Sequence, residues 1–309
     1  MVKTISTENM RRDEWLKLRK TGIGGSDAGA ICGLNPYASP MSVYQDKITE
    51  HISLEDNESM RQGRDLEDYV ARRFMEVTGL KVRRSNVMYR SQEYPFMIAD
   101  VDRLIVGENA GLECKTASPY SSDKWKDGEI PPHYLIQCYH YMLVTGKKEW
   151  YIAVLIFGQE FKYAKIKWDE SMIQDLIAIE TDFWNNHVVP EIMPEPDGSE
   201  ASEAVLNEYF RTAKSNSSIP LIGFDEKLGR REEIIGLMKK LEQEQKQIEQ
   251  EIKLYMKENE TAFNEKYRIT WTNVDTARLD TKRIKTERPE IYNDFVNVTN
   301  SRRFLVKAA

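Results

Sequence analysis

Two rhythms of apolar and polar positions run along this chain, and the changes between them mark its elements. Over residues 9–20, Trp15 and Leu18 recur at a helical spacing, and the stretch runs into Thr21-Gly22-Ile23-Gly24-Gly25-Ser26-Asp27. Three glycines in four positions end this helix, and Ser26 is placed to cap another over 27–32. Ser39-Pro40 opens a third, to about residue 48, with proline in the first turn where its missing N–H is not needed. After a polar loop over 49–58, steps of three and four through Met60, Gly63, Glu67, Val70, Phe74 and Val77 predict a longer helix that stops at Gly79.

The period then shortens to two. Residues 96–116 read as an antiparallel hairpin about a turn between Gly107 and Gly111. Helical spacing returns over 132–146, with Tyr134, Cys138, Tyr141, Met142 and Thr145 on the apolar side and Gln137 beside it. Residues 149–157 are strongly β-prone, Gly158-Gln159 is a turn, and 161–168 alternate like an edge strand. A helix over 169–189 closes the region before Pro190, Pro194 and Pro196. This order predicts an α/β domain over 1–194, a central mixed sheet flanked by helices.

Beyond it, 195–228 reads as a linker region and 229–260 as a coiled-coil helix. Ile234, Met238, Leu241, Gln245, Ile248, Ile252 and Tyr255 follow alternating steps of four and three. Such a seam pairs with a helix of the same chain, of a neighbouring subunit or of a partner. Residues 261–309 read as a small basic α+β tail, with strands over 267–274 and 301–307 and a helix over 289–296.

Length and composition change this picture little. At 309 residues and 40% hydrophobic, the chain can bury a large core and carry an appendage. No apolar run approaches the roughly 20 residues that span a bilayer. Arg11 and Arg12 are followed by no apolar stretch of a signal peptide, so the expected location is the cytoplasm. Cys32, Cys114 and Cys138 show no Cys-x-x-Cys spacing, which argues against a disulfide frame or a zinc or iron–sulfur centre.

Charge matters through its distribution. The net charge is −6, but residues 195–265 hold 16 acidic against 10 basic side chains, whereas 278–309 hold 8 basic against 4 acidic. A neutral-to-basic surface for DNA therefore stays open elsewhere. The basic excess of Arg278, Lys282, Arg283, Lys285, Arg302 and Arg303 suits either a DNA contact or a solvated face.

The candidate chemistry lies on the hairpin. Glu113 and Lys115 are two residues apart and leave one face of the second strand, while Cys114 points the other way. Asp102 on the first strand can come beside Glu113, giving two oxygen ligands for a hard cation with an amine alongside, or a cross-strand salt bridge. An acid, any residue and a lysine also recur at Glu160/Lys162, Asp225/Lys227, Glu244/Lys246, Glu251/Lys253 and Asp280/Lys282, which read as solvated pairs. Glu67 falls on the apolar stripe of its helix, where a carboxylate must be ion-paired or bind a cation. The glycine-rich turn with Arg19 and Ser26 is either an anion site at a helix start or an ordinary capped turn.

Taken together, Arg19, Gly24-Gly25-Ser26-Asp27, Gly63-x-x-x-Glu67, Asp102, Glu113-Cys114-Lys115 and Gln137 resemble, in this order, the YqaJ-type viral recombinase family. That family is the phage lambda exonuclease branch of the PD-(D/E)xK nucleases, and the resemblance covers about residues 8–190. It implies the restriction-endonuclease-like core and two Mg²⁺ or Mn²⁺ ions held by Glu67, Asp102, Glu113 and the Cys114 carbonyl. Lys115 matches the lysine that orients or deprotonates water, and Gln137 the glutamine that positions that lysine. Arg19 and Ser26 match a pocket for a 5′-phosphate, and Met60 an apolar wedge into the duplex. One departure is plain: the family's Pro-Asp-Gly is Val101-Asp102-Arg103 here, with Asp100 close by.

The expected activity is 5′→3′ exonuclease action on double-stranded DNA ends in phage-type recombination, leaving 3′ overhangs. The resemblance also implies a phage or prophage origin, a single-strand annealing protein as partner and a homotrimer. Two other readings stand beside it, an endonuclease on the same core and an inactive DNA-binding or assembly module.

Overall fold

The chain opens with a strand that the periodicity did not announce, β1 (Val2–Ser6), followed by helix α1 (Arg12–Lys20). The computed structural model describes residues 2–50 and 57–307 and divides into two units, Met1–Arg211 and Thr212–Ala309. Helix α2 (Gly25–Ile31) starts earlier than expected, because Gly24 takes the cap position and Asp27 accepts its N–H at 2.9 Å. Ser26 is therefore not the cap, and its hydroxyl is left for another partner. Helix α3 (Pro40–Ile48) is capped by Ser39, and α4 (Glu58–Thr78) by Asn57. At the end of α4, Gly79 adopts φ 73°, a left-handed turn that side chains disfavour. Most of the expected 49–58 loop lies outside the described residues.

The expected hairpin is built differently. After β2 (Val82–Arg84) and β3 (Val87–Ser91), residues 96–105 form two short strands, β4 (Ile98–Asp100) and β5 (Arg103–Ile105), which belong to different sheets. β4 pairs with β3, and β3 with β1. β5 pairs with β6 (Ala110–Ala117), Arg103 opposite Leu112. Asp102 thus sits where the chain crosses from one sheet to the other. Its side chain takes the place of a ladder partner: Oδ2 accepts the Cys114 N–H at 2.8 Å.

A short 3₁₀ segment (Pro119–Gly128) leads to α5 (Pro132–Thr145), then β7 (Glu149–Ile156) and β8 (Glu160–Lys167), as the periodicity predicted. The larger sheet runs β2-β5-β6-β7-β8 and is mixed, with β6 and β7 parallel and the other pairs antiparallel. Alternation fixes what each face meets. Ala110 and Leu112 pack with Val70 and Phe74 of α4, while Trp150, Ile152 and Val154 pack with Cys138 and Met142 of α5. Glu113 and Lys115 follow Gly111 on the α5 side.

Two contacts hold α5 in place. Gly25 of α2 lies so close that a Cβ there would come 2.6 Å from the Tyr141 ring. On its other side, buried His140 pairs through Nδ1 with Glu180 Oε1 at 2.7 Å and donates from Nε2 to the Ile98 carbonyl at 2.8 Å. Glu180 lies on α6 (Glu170–Phe183), which runs on through a wider turn at Trp184–Val188. His140→Leu leaves a buried carboxylate without a partner, so it should lower unfolding stability by about 3–5 kcal/mol. Urea titration of both proteins checks this, and an unchanged midpoint would remove the pair from the account.

The stretch read as a linker contains helix α7 (Glu200–Tyr209), whose Ser202 and Val205 are buried. It packs on α3, and Asp197 fixes its start by accepting from the Ser199 and Ser202 hydroxyls at 2.6 Å each. The second unit is α8 (Asp225–Met256), the hairpin β9 (Thr261–Phe263) and β10 (Arg268–Thr270), then α9 (Thr281–Glu287) and α10 (Pro289–Asp294). The strand expected over 301–307 does not form, since no neighbouring strand offers it a ladder and the stretch is irregular. No helix among the described residues is long and apolar enough to cross a membrane.

Candidate active site

The acids and the lysine predicted from the hairpin converge. Because Arg103 faces Leu112, the preceding Asp102 comes beside Glu113; Glu113 is buried and Asp102 partly so. Glu113 Oε1 accepts from Lys115 Nζ at 2.6 Å and from Gln137 Nε2 at 2.8 Å. Its other oxygen, Oε2, is buried without a hydrogen-bond partner. Gln137 therefore meets Glu113 and the Tyr141 hydroxyl (2.8 Å), not Lys115 as expected. It reaches the lysine only through the carboxylate oxygen they share.

The electrostatics match this crowding. Burial, then the neighbouring Glu113 carboxylate, pushes the Asp102 carboxyl well above its ordinary range. Burial likewise raises Glu113 despite the attraction of Lys115. For Lys115 burial disfavours the ammonium, but Glu113, Tyr134 and Asp102 outweigh it and raise its pKa. Its Nζ also lies 4.6 Å from the centre of the Tyr134 ring. Two adjacent carboxyls with one ammonium bonded to the pair are short of positive charge.

Glu67 reaches the group from α4. Burial and Asp102 raise its pKa against the pull of Arg103. Glu67 is ion-paired: Arg103, only 4% exposed, donates to Glu67 and, at 2.5 Å, to Asp68. Arg103 also donates to the Asp102 carbonyl at 2.6 Å. With Glu67 held this way, no three His, Cys, Asp or Glu side chains among the described residues form a ready metal cage. The donor set nevertheless fits a hard divalent cation. All the side-chain donors are carboxylate oxygens, one is orphaned in the interior, and the three carboxylates of Asp102, Glu113 and Glu67 share Lys115 and Arg103 as cationic neighbours. Cys114 has its N–H turned to Asp102, and its carbonyl opens to the same side of the strand.

A cavity of about 500 Å³ joins this cluster to the glycine-rich turn, lined by Glu67, Asp102, Glu113 and Gln137 at one part and Arg19, Gly24 and Ser26 at another. Arg19 Nη2 donates to Ser26 Oγ at 2.9 Å and lies over the Trp15 ring, 5.0 Å from its centre. Asp27 stands 3.8 Å from the same guanidinium but is engaged by buried Lys47 at 2.7 Å. Burial raises the Asp27 carboxyl, yet Lys47 and Arg19 together hold it below the ordinary value. Met60 is half-exposed in the first turn of α4 and does not line the cavity.

Three participants escaped the sequence reading. Arg103 carried a signal, as a long cation directly after Asp102 where a glycine was expected. Tyr141 looked like an ordinary core aromatic. Asp100, close to Asp102 in sequence, accepts the Trp15 indole N–H at 2.7 Å, which fixes α1 to the cavity wall.

Known proteins are similar to this chain at two levels. The YqaJ-like viral recombinase domain matches residues 14–148, a span that holds every candidate site residue. An uncharacterized protein YqaJ of Bacillus subtilis is 39% identical over 302 residues, covering 96% of this chain and 95% of its own. Among solved structures, an alkaline exonuclease of Laribacter hongkongensis superimposes with a TM-score of 0.50 at 19% identity, over 58% of this chain and 94% of that one. The same exonuclease in complex with dAMP gives a TM-score of 0.50 at 19% identity, over 65% and 100%. At that identity the likeness concerns the fold, a PD-(D/E)xK core with its mixed sheet and flanking helices.

Proposed function

Because the chain belongs to the YqaJ-like viral recombinase family, we propose that it is a divalent-metal-dependent deoxyribonuclease that degrades double-stranded DNA from 5′ ends. The observation that carries this is the Asp102–Glu113 pair, in which buried Glu113 has an unpartnered oxygen and Lys115 bonded alongside. The cavity over it extends to Arg19 and Ser26.

In this reading Glu67, Asp102, Glu113 and the Cys114 carbonyl hold two Mg²⁺ or Mn²⁺ ions. When bound, such ions supply a polarised phosphate, a water of lowered pKa and charge relief for the leaving 3′-oxygen. Glu113 Oε1 orients Lys115, so that its ammonium can donate to the attacking water and stabilise the negative charge that develops there. Gln137 holds the same oxygen from the other side and keeps Glu113 Oε2 turned to its ligand position. Arg103 must release Glu67 for this, exchanging one positive partner for another.

End recognition falls to Arg19, whose guanidinium is held over Trp15 and keeps donors to spare for a terminal 5′-phosphate. Strand removal would leave a 3′ single strand for an annealing protein, and assembly as a trimer would keep the duplex engaged. Digestion of linear duplex bearing 5′-phosphate or 5′-hydroxyl ends tests the assignment. The wild type should prefer the phosphorylated end, and Arg19→Ala should reduce that preference by about tenfold, the worth of one charge-assisted bond of about 1.5 kcal/mol. Equal rates on both ends in the wild type would remove the pocket and favour an endonuclease on the same core.

A further inference from the structure

Helix α8 is 32 residues long, and its apolar seam is uncovered. Leu241 is 65% exposed and Ile248 52%, in line with exposed Ile234, Met238 and Tyr255. A row of large apolar side chains over three heptads marks a surface made to be buried. The other helices of its unit, of seven and six residues, would extend about 10 Å against about 48 Å for α8, too short to cover the row.

The charges on α8 are sorted by position. Glu242 and Glu249 flank the seam on one side, Glu244 and Glu251 on the other, while Lys239, Lys246 and Lys253 lie on the back. Two copies paired in parallel would bring Glu244 against Glu249. Antiparallel pairing would set each glutamate row against itself. Like charges at these flanking positions are how coiled coils reject a partner. Gln245, the one polar residue in the seam, fixes register against a polar counterpart.

We propose that α8 docks a helix of another protein, one with a matching apolar seam flanked on both sides by lysine or arginine, and that a second copy of this chain is refused there. The four glutamates that flank the seam are then the recognition element, separate from the DNA-cutting centre.

Fluorescence anisotropy on the full chain tests this with three labelled helical probes of four heptads. One carries leucine and isoleucine in the seam with lysine at both flanks. The second has glutamate at the flanks, and the third is a scrambled form of the lysine probe. The lysine-flanked probe should bind at least tenfold more tightly than either other, and more weakly as salt rises. Replacing Glu242, Glu244, Glu249 and Glu251 by lysine should transfer binding to the glutamate probe. Leu241→Asp with Ile248→Asp should abolish binding, while the thermal melt of the protein confirms that the rest stays folded. Equal binding of the scrambled probe, or no binding of the lysine probe, would overturn the proposal. So would a wild-type dimer in light scattering that the aspartate variant dissolves.

Discussion

Lys115→Ala is expected to reduce nucleotide release from linear duplex by about 10³-fold, within the range for loss of a positioned hydrogen-bond donor with its charge. The lysine meets both requirements of such a role. Its ammonium is held by Glu113 at 2.6 Å, beside the oxygen that lacks a partner, so it cannot drift from the carboxylate cluster. The substitution should also reveal why the amine is needed when no cation is bound. Without it Asp102 and Glu113 crowd each other unrelieved, and the variant should melt below the wild type in chelator and recover more on adding Mg²⁺. Radiolabelled duplex and a thermal melt with and without Mg²⁺ measure both effects. A variant retaining a tenth of the activity would place the stabilising charge elsewhere.

Asp102→Asn should separate folding from function in the opposite direction. An amide oxygen can still accept the Cys114 N–H, so the crossing between the two sheets survives. The carboxylate beside Glu113 disappears, and with it a source of repulsion. The metal-free variant should therefore be at least as stable as the wild type, while activity falls about as far as in Lys115→Ala. The decisive readout is the stabilisation by Mg²⁺. At a concentration 100-fold above its dissociation constant a bound ion stabilises the wild type by about 2.7 kcal/mol, and the variant should show almost none of this. Equal Mg²⁺ stabilisation of both proteins would mean that Asp102 does not hold the ion. Sites that are unfavourable for folding and required for activity behave in this way.

How much of this was legible in the sequence depends on which forces set each feature. Helices α4 and α5 and strands β7 and β8 could be read, because each presents a long apolar stripe to one sheet and ends at a glycine or a charged turn. The pairing of Asp102 with Glu113 followed from the two-residue period and the turn. The division of residues 96–105 into β4 and β5 could not be read, since it depends on Asp102 substituting for a backbone partner. β1 was missed because an edge strand with one half-buried residue leaves almost no alternation. Helix α7 was hidden among glycine, proline and acidic residues, and only its packing on α3 makes it part of the first unit.

The site shows the same limit. Glu67 was recognisable as a carboxylate out of place on an apolar stripe, yet its partner Arg103 lies 36 positions away and no local pattern joins them. Gln137 was found by its place in the order of motifs, but its contact with Glu113 instead of Lys115 is a matter of side-chain geometry. Arg19 and Ser26 lie within hydrogen-bond distance, although the cap position that suggested Ser26 belongs to Gly24.

The central claim is that the Asp102–Glu113–Lys115 cluster cuts DNA inward from an end with the help of a divalent ion. Incubating the wild type with Mg²⁺ and equal amounts of 5′-phosphorylated linear duplex and covalently closed circular duplex tests it most directly. Acid-soluble nucleotides should accumulate from the linear form alone and stop on chelation, whereas an intact linear substrate with Mg²⁺ and with Mn²⁺, or a circle cut as fast as the linear form, would contradict it.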